Sequence, residues 1–272
     1  MVECCGRWGG DAFSVCLHIM STTIALDRDL DILAFGAHPD DVEFSCAGTM
    51  ILMHRKGHAT GVVDLTRGEM GTRGSAKIRA REAQNAAKVM GLAARRNVGL
   101  PDGGVEITKN NIKKVVALIR EFRPRIILIP HAVDRHPDHE HASRLVREAA
   151  FYSGLIRLST TTNGEKQTPF RPEVTLCYRQ SSDIPATIIV DITSVFEEKM
   201  KTVFAYASQV YNPKAKEPDT VISRPEFIDN IEARARAYGS RIGVKYGEAF
   251  YSPNPLWCDD LMTVIPQKPR MM

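Results

Sequence analysis

The stretch Ala37-His38-Pro39-Asp40-Asp41 carries residue types that can bind a divalent metal ion and move protons beside it. It follows an apolar run, Ile32-Leu33-Ala34-Phe35-Gly36, and precedes a helical pattern beginning near Ser45. A histidine and two adjacent carboxylates therefore emerge where a buried strand gives way to a helix. Polar groups are costly there unless something uses them. His38 and Asp41, three residues apart, can turn toward one divalent ion, which leaves Asp40 beside that ion and unable to reach the same position. The plainer alternative is that Asp40 or Asp41 caps the helix and His38 is incidental. This motif alone does not decide between them.

A second cluster does. The run Arg125-Ile126-Ile127-Leu128-Ile129-Pro130 is β-branched and unbroken, as expected of a strand covered on both faces. It is followed by His131-Ala132-Val133-Asp134-Arg135-His136-Pro137-Asp138-His139, which opens a helix over 139–152, with Pro137 suited to the first turn. His38, Asp41 and His139 then offer two nitrogens and one oxygen. Three protein ligands leave a position open, the mark of a catalytic rather than a structural zinc site. His18, His54, His58 and His141 lack such a context and read as surface or helix residues.

The elements that must position these clusters alternate. Strands are expected near 31–36, 60–65, 96–99 and 125–130, and helices near 45–57, 76–90, 108–122 and 139–152. Ser75 is placed to cap the second helix and Gly91 to end it. This alternation implies a parallel sheet wrapped by helices on both faces. Ligands bind such sheets at the carboxyl ends of strands, where neighbouring connections depart to opposite faces. Beyond 153 the pattern loosens: a polar loop at 160–172, strands at 173–179 and 187–190, helices near 192–207 and 224–241, and a Pro- and Lys-rich loop at 211–223. We divide the chain into an N-terminal extension, 1–28, one α/β domain, 29–251, with a C-terminal α/β elaboration, and a tail, 252–272.

The glycine-punctuated loop 66–74 matches neither dinucleotide nor P-loop spacing. Glu69 and Arg73 on it are candidate substrate contacts. Arg79, within about two turns of the loop's end, can point back toward the site. Asp102, in a Pro-Asp-Gly turn, taken alone is first a turn-former.

The chain has 272 residues, 43% of them hydrophobic and 25% charged, with a formal charge of +4. That charge suits a small anionic substrate and, without a dense Lys/Arg block, argues against nucleic acid. No apolar run reaches the length of a membrane span. The spacing of Cys4, Cys5, Cys16, Cys46, Cys177 and Cys258 fits neither a zinc ribbon nor a disulfide framework, so free thiols in a reducing compartment, the cytoplasm, are expected. Met1 to Met20 lack a signal-sequence pattern, and either form a loose extension or precede a natural start near Met20.

With both clusters in view, the chain resembles the zinc-dependent N-acetylglucosaminyl deacetylases of the LmbE/PIG-L type. The matching segments, in order, are Ala37 to Asp41, Arg67-Gly68-Glu69, Gly71-Thr72-Arg73-Gly74, Pro101-Asp102-Gly103 and Asp134 to His139. Within that family it is most similar to the bacillithiol-pathway deacetylases, through Asn163 to Gln167, Ala207-Ser208-Gln209 and Gly243 to Phe250. The resemblance implies a Rossmann-like sheet in the order 3-2-1-4-5. It implies that His38, Asp41 and His139 hold zinc, or iron(II), which the same donors accept. It further implies Asp40 as general base and His136, oriented by Asp138, as partner acid or oxyanion stabiliser. Arg79 and Asp102 would contact the sugar, Arg135 the carboxylates of a malate aglycone, and the enzyme would form a homo-oligomer. The nearest alternative is the same chemistry on another substrate, an N-acetylglucosaminyl inositol, a chitooligosaccharide or a thiol-conjugate amide. The alternative of a different class is a nonenzymatic metal- or nucleotide-binding module. Gly36-Ala37-His38 lacks the dinucleotide glycines that such a module would need.

Overall fold

The computed structural model describes residues 29–260 together with 262 and 264. The extension 1–28 and the end of the tail lie outside the described residues. The elements run β1 (Ile32–Gly36), α1 (Asp41–Arg55), β2 (Thr60–Thr66), α2 (Ala76–Met90), β3 (Ala94–Leu100), α3 (Lys109–Phe122), β4 (Ile126–Pro130) and α4 (Pro137–Tyr152). A two-residue-per-strand hairpin follows, β5 (Thr161–Thr162) and β6 (Glu165–Lys166), then β7 (Val174–Tyr178), β8 (Ile188–Asp191), α5 (Phe196–Phe204), α6 (Pro225–Arg241) and β9 (Gly247–Tyr251).

Seven strands form one sheet in the order β3-β2-β1-β4-β7-β9-β8. The first five in that order are parallel, whereas β9 pairs antiparallel with both β7 and β8. With β7 as the fifth strand, the expected 3-2-1-4-5 core is present, and the observed order differs by the two antiparallel strands that extend its edge. Every residue of β1 is buried, because helices cover both faces. Leu33 and Phe35 enter the core shared with α3 and α4, and Ile32 and Ala34 the core under α1, α5 and α6. The two neighbours β1 and β4 pair at Ile32 with Ile126 through Ala34 with Leu128. Their following helices, α1 and α4, pack on opposite faces, which makes the gap between them the sheet's switch point.

Helix α1 starts four residues earlier than expected and is broken at Cys46 (φ −137°, ψ 19°). The amides freed by the break would be costly if unpaired. Glu248 of β9 accepts from Gly48 N–H at 3.0 Å and from Thr49 N–H and hydroxyl at 2.6 Å each, and Lys199 Nζ balances its charge at 2.5 Å. A Cβ at Gly48 would stand 2.9 Å from both Glu248 Oε1 and Ile192 Cδ1. Gly48→Ala is therefore expected to lower stability by about 1–3 kcal/mol through overpacking, read from the midpoint shift in urea.

A buried cation ties α1, β2 and α5's end together. Arg95 of β3 grips Asp64 with Nε and Nη2 at 2.9 and 2.8 Å, reaches Glu43 with Nη1, and donates to Tyr206 Oη at 3.0 Å. Both carboxylates are buried.

Candidate active site

The carboxyl ends of β1, β2, β3, β4 and β7 meet at one edge of the sheet, and both sequence clusters lie there. At β1's exit the chain turns so tightly that a Cβ on Gly36 would stand 2.9 Å from His38 O. Asp41 Oδ2 accepts from His38 N–H at 2.8 Å and closes the turn. Between them Asp40 adopts φ 111°, ψ −27°, a left-handed conformation that costs a non-glycine residue free energy. Such strain marks a side chain that must point one particular way.

Asp40 points at Arg79. The guanidinium, carried on α2, donates through Nη2 to Asp40 Oδ2 at 2.8 Å and to Pro39 O, and through Nη1 to Gly68 O at 3.4 Å. Both side chains are buried. Burial pushes the Asp40 carboxyl up to about 7, against the pull of Arg79 and with repulsion from Asp41 adding to the rise. A carboxylate held there can accept a proton near neutrality.

His38, Asp41 and His139 converge, with candidate donor atoms all within 4.8 Å of one another, and all three are buried. Asp41 Oδ2 lies 3.6 Å from His38 Nδ1 and Asp41 Oδ1 lies 3.3 Å from His139 Nε2. Donors around a tetrahedral ion with bonds near 2.0–2.1 Å sit about 3.3 Å apart. The remaining nitrogen of each histidine faces a different carboxylate: His38 Nε2 is 3.0 Å from Asp102 Oδ1, and His139 Nδ1 is 2.8 Å from Asp134 Oδ1. Two imidazoles turned inward on a shared carboxylate and backed by outer carboxylates form the donor chemistry that divalent metals take. The residues therefore fit such an ion. A second grouping, His38, His136 and Asp138, also lies within 4.8 Å. It fits less well, because His136 is exposed and the Asp138 oxygens already accept from Gly103 N–H at 2.8 Å and Val105 N–H at 3.3 Å.

Charge follows this geometry. Burial works against protonated His139, yet the Asp41 charge and the Asp134 hydrogen bond carry it to about 9. For His38, too, burial is outweighed, by hydrogen bonds to Asp102, Asp138 and Asp41, and it lies well above the usual range. Burial raises and His139 lowers Asp41, and the pairing wins, holding it well below the usual range. Asp102 falls to about 2 as its contacts with His38 and Met70 N–H overcome burial. The positive charge that these protons bring is the charge a dication would supply in their place.

His136 behaves differently. Burial lowers its pKa, and the neighbouring His38 and His139 charges lower it further. Its Nδ1 accepts from Asp138 N–H at 3.2 Å while capping α4, which leaves the neutral ring's proton on Nε2. Asp138 thus acts on His136 through its backbone amide, while its carboxylate holds the 103–105 turn.

The remaining sequence-singled residues lie around this group. Glu69 and Asp102 clip the glycine loop to the β3 exit: Glu69 Oε1 accepts from Asp102 N–H at 3.0 Å, and Asp102 Oδ2 from Met70 N–H at 2.8 Å. Arg135 is exposed at the β4 exit, its Nε 3.4 Å from Ser181 Oγ. Arg73 is buried, donating to Pro218 O at 3.0 Å, Glu217 O at 3.3 Å and Asp219 Oδ1 at 3.3 Å. Asp134, quoted in the motif but given no role there, is the site residue that sequence reasoning missed. Its only signal was a carboxylate beside a strand's exit, five residues before His139.

A strained buried carboxylate and a converging His/Asp donor set thus share the switch point of the sheet, where α/β folds bind their ligands. Residues 33–150 match the family model described as PIG-L: GlcNAc-PI de-N-acetylase. The conserved protein TT1542 from Thermus thermophilus superposes with a TM-score of 0.75 at 34% identity, over 84% of this chain and 97% of that one. Diacetylchitobiose deacetylase of Thermococcus kodakarensis is 28% identical over 65% of this chain and 69% of its own. A probable N-acetyl-alpha-D-glucosaminyl L-malate deacetylase 2 of Bacillus anthracis is 26% identical over 75% and 94%. The chain belongs to the PIG-L family and is an enzyme of its deacetylase kind. Among the described residues no helix is long and apolar enough to cross a membrane.

Proposed function

We propose that the protein hydrolyses the N-acetyl amide of an N-acetylglucosaminyl conjugate, with N-acetylglucosaminyl malate as substrate and glucosaminyl malate and acetate as products. The observation that carries the hydrolytic reading is the buried Asp40 carboxylate, held by Arg79 beside the converging donors His38, Asp41 and His139. What a zinc or iron(II) ion held by those donors supplies is Lewis acidity toward the amide carbonyl and acidification of the attacking water. Asp40 takes the water's proton as the carbon–oxygen bond forms, its other oxygen engaged by Arg79. His136 Nε2–H donates to the carbonyl oxygen as negative charge develops there. Asp40 then returns the proton to the leaving nitrogen, the carbon–nitrogen bond breaks, and acetate and the free amine separate.

Malate as aglycone is favoured by Arg135, exposed at the rim, by the net charge of +4, and by similarity to the Bacillus protein. The same chemistry on another N-acetylated glycoside is the second reading, favoured by the diacetylchitobiose deacetylase relative. The reading carries a cytoplasmic, homo-oligomeric enzyme, in keeping with the free thiols Cys46, Cys177 and Cys258. A panel of N-acetylglucosaminyl malate, diacetylchitobiose and an N-acetylglucosaminyl inositol, assayed for free amine, tests it. The malate conjugate is expected to have the highest kcat/KM, and activity is expected to vanish with chelator and return with Zn²⁺. Equal or better turnover of either competitor overturns the malate assignment. Activity untouched by exhaustive chelation overturns the metal reading.

A further inference from the structure

We propose that Asp134 is a positioning residue that fixes the tautomer of His139 and couples that ring to the loop after β7. The inference rests on the reading of His38, Asp41 and His139 as metal donors. The Asp134 side chain is only 2% exposed and meets donors on every side. Its Oδ1 lies 2.8 Å from His139 Nδ1 and accepts from His136 N–H at 3.0 Å. Its Oδ2 accepts from Ser181 N–H at 2.9 Å and Ser182 N–H at 3.4 Å.

A carboxylate surrounded by three backbone N–H groups is acceptor-only, so the His139 nitrogen that faces it must carry hydrogen. With hydrogen on Nδ1, the neutral ring presents its lone pair at Nε2, the nitrogen 3.3 Å from Asp41 Oδ1. Asp134 thereby leaves one nitrogen of His139 free to bind an ion. The second oxygen extends the coupling: the Ser181 amide lies in the loop whose hydroxyl receives Arg135 Nε. The donor set and the arginine at the rim thus stand on one carboxylate.

An amide cannot do both jobs. In Asp134→Asn, an oxygen turned toward the serine amides sets the NH₂ against His139 Nδ1, drives the hydrogen to Nε2 and blocks the metal-facing lone pair. An oxygen turned toward His139 sets the NH₂ against Ser181 N–H, two donors face to face, and the loop loosens. Outer-sphere partners of this kind are worth about 10–100-fold in metal affinity.

The test uses Co²⁺ alone, titrated into metal-stripped wild type and Asp134→Asn and followed by visible absorption. The variant is expected to bind about 10–100-fold more weakly. In cobalt-loaded wild type labelled with [¹⁵N]histidine, a solvent-exchangeable proton is expected on His139 Nδ1. Equal affinities overturn the proposal while leaving the metal reading intact, and so does a proton on Nε2 of wild-type His139, which needs no variant to fold. A lower unfolding midpoint with unchanged Co²⁺ affinity means a purely structural residue and also overturns it. Wild type that takes up no Co²⁺ removes the metal reading, and this inference with it.

Discussion

Asp40→Asn is expected to retain its metal and lose about 10²–10⁴-fold in turnover, the usual contribution of a positioned general base. Asparagine is the informative replacement. Its oxygen can still accept from Arg79 Nη2, now 2.8 Å from Asp40 Oδ2, so the buried guanidinium keeps a partner and the turn keeps its shape. The residue also tolerates the left-handed backbone found at position 40 better than most others. What it cannot do is take a proton. The donor atoms of His38, Asp41 and His139 are untouched, so bound metal measured by elemental analysis should match wild type. His139→Ala is the contrasting variant and should lose metal and activity together. Near-wild-type turnover in Asp40→Asn would overturn the base assignment; loss of metal in it would mean that Asp40 belongs to the donor set.

Much of the frame behind this prediction could be read in the chain. β1 and β4 show unbroken apolar runs because both of their faces are covered, and Ser75 caps α2 as its hydroxyl accepts from Ile78 N–H at 3.3 Å. The partnership of the two clusters followed from their equal placement at strand exits. What was illegible depended on long-range pairing. β9 begins Gly-Glu and carries no strong alternation, and its glutamate is buried only because it serves a break in α1. That break hid the true start of α1. Arg73 looked like a loop cation open to substrate, since nothing in 66–74 reports that residues 217–219 fold back over it. Asp134 stood in plain view, but its role depends on the serine amides after β7, far along the sequence. Arg79 was placed toward the site, whereas its partner, Asp40, became visible only in three dimensions.

Arg95 shows the same limit in terms of stability, and Arg95→Met should lower it by about 3–5 kcal/mol, the cost of breaking a buried pair by removing one partner. Methionine fills much of the volume, so the loss reports charge rather than a cavity. Glu43 is 0% exposed and Asp64 3%, and the variant leaves both beside each other without their cation. In wild type, burial already raises Asp64 above its ordinary value while Arg95 pulls it down. Removing that pull raises the folded-state pKa further, above the unfolded value near 4. A carboxyl raised in this way binds a proton in the folded state that the unfolded chain has released, so stability falls as pH rises from about 4 through the folded pKa. The deficit of Arg95→Met should therefore be larger at pH 8 than at pH 5, as measured by urea unfolding of both proteins at each pH. A deficit that is small, or the same at both values, would mean that water or Tyr206, now 3.0 Å from Arg95 Nη2, can stand in for the guanidinium. The carboxylates lie at the start of α1 and within β2, immediately behind the turn that aims Asp40 and Asp41. Folded variant protein at pH 5 should for that reason also show weaker metal binding than wild type under the same conditions.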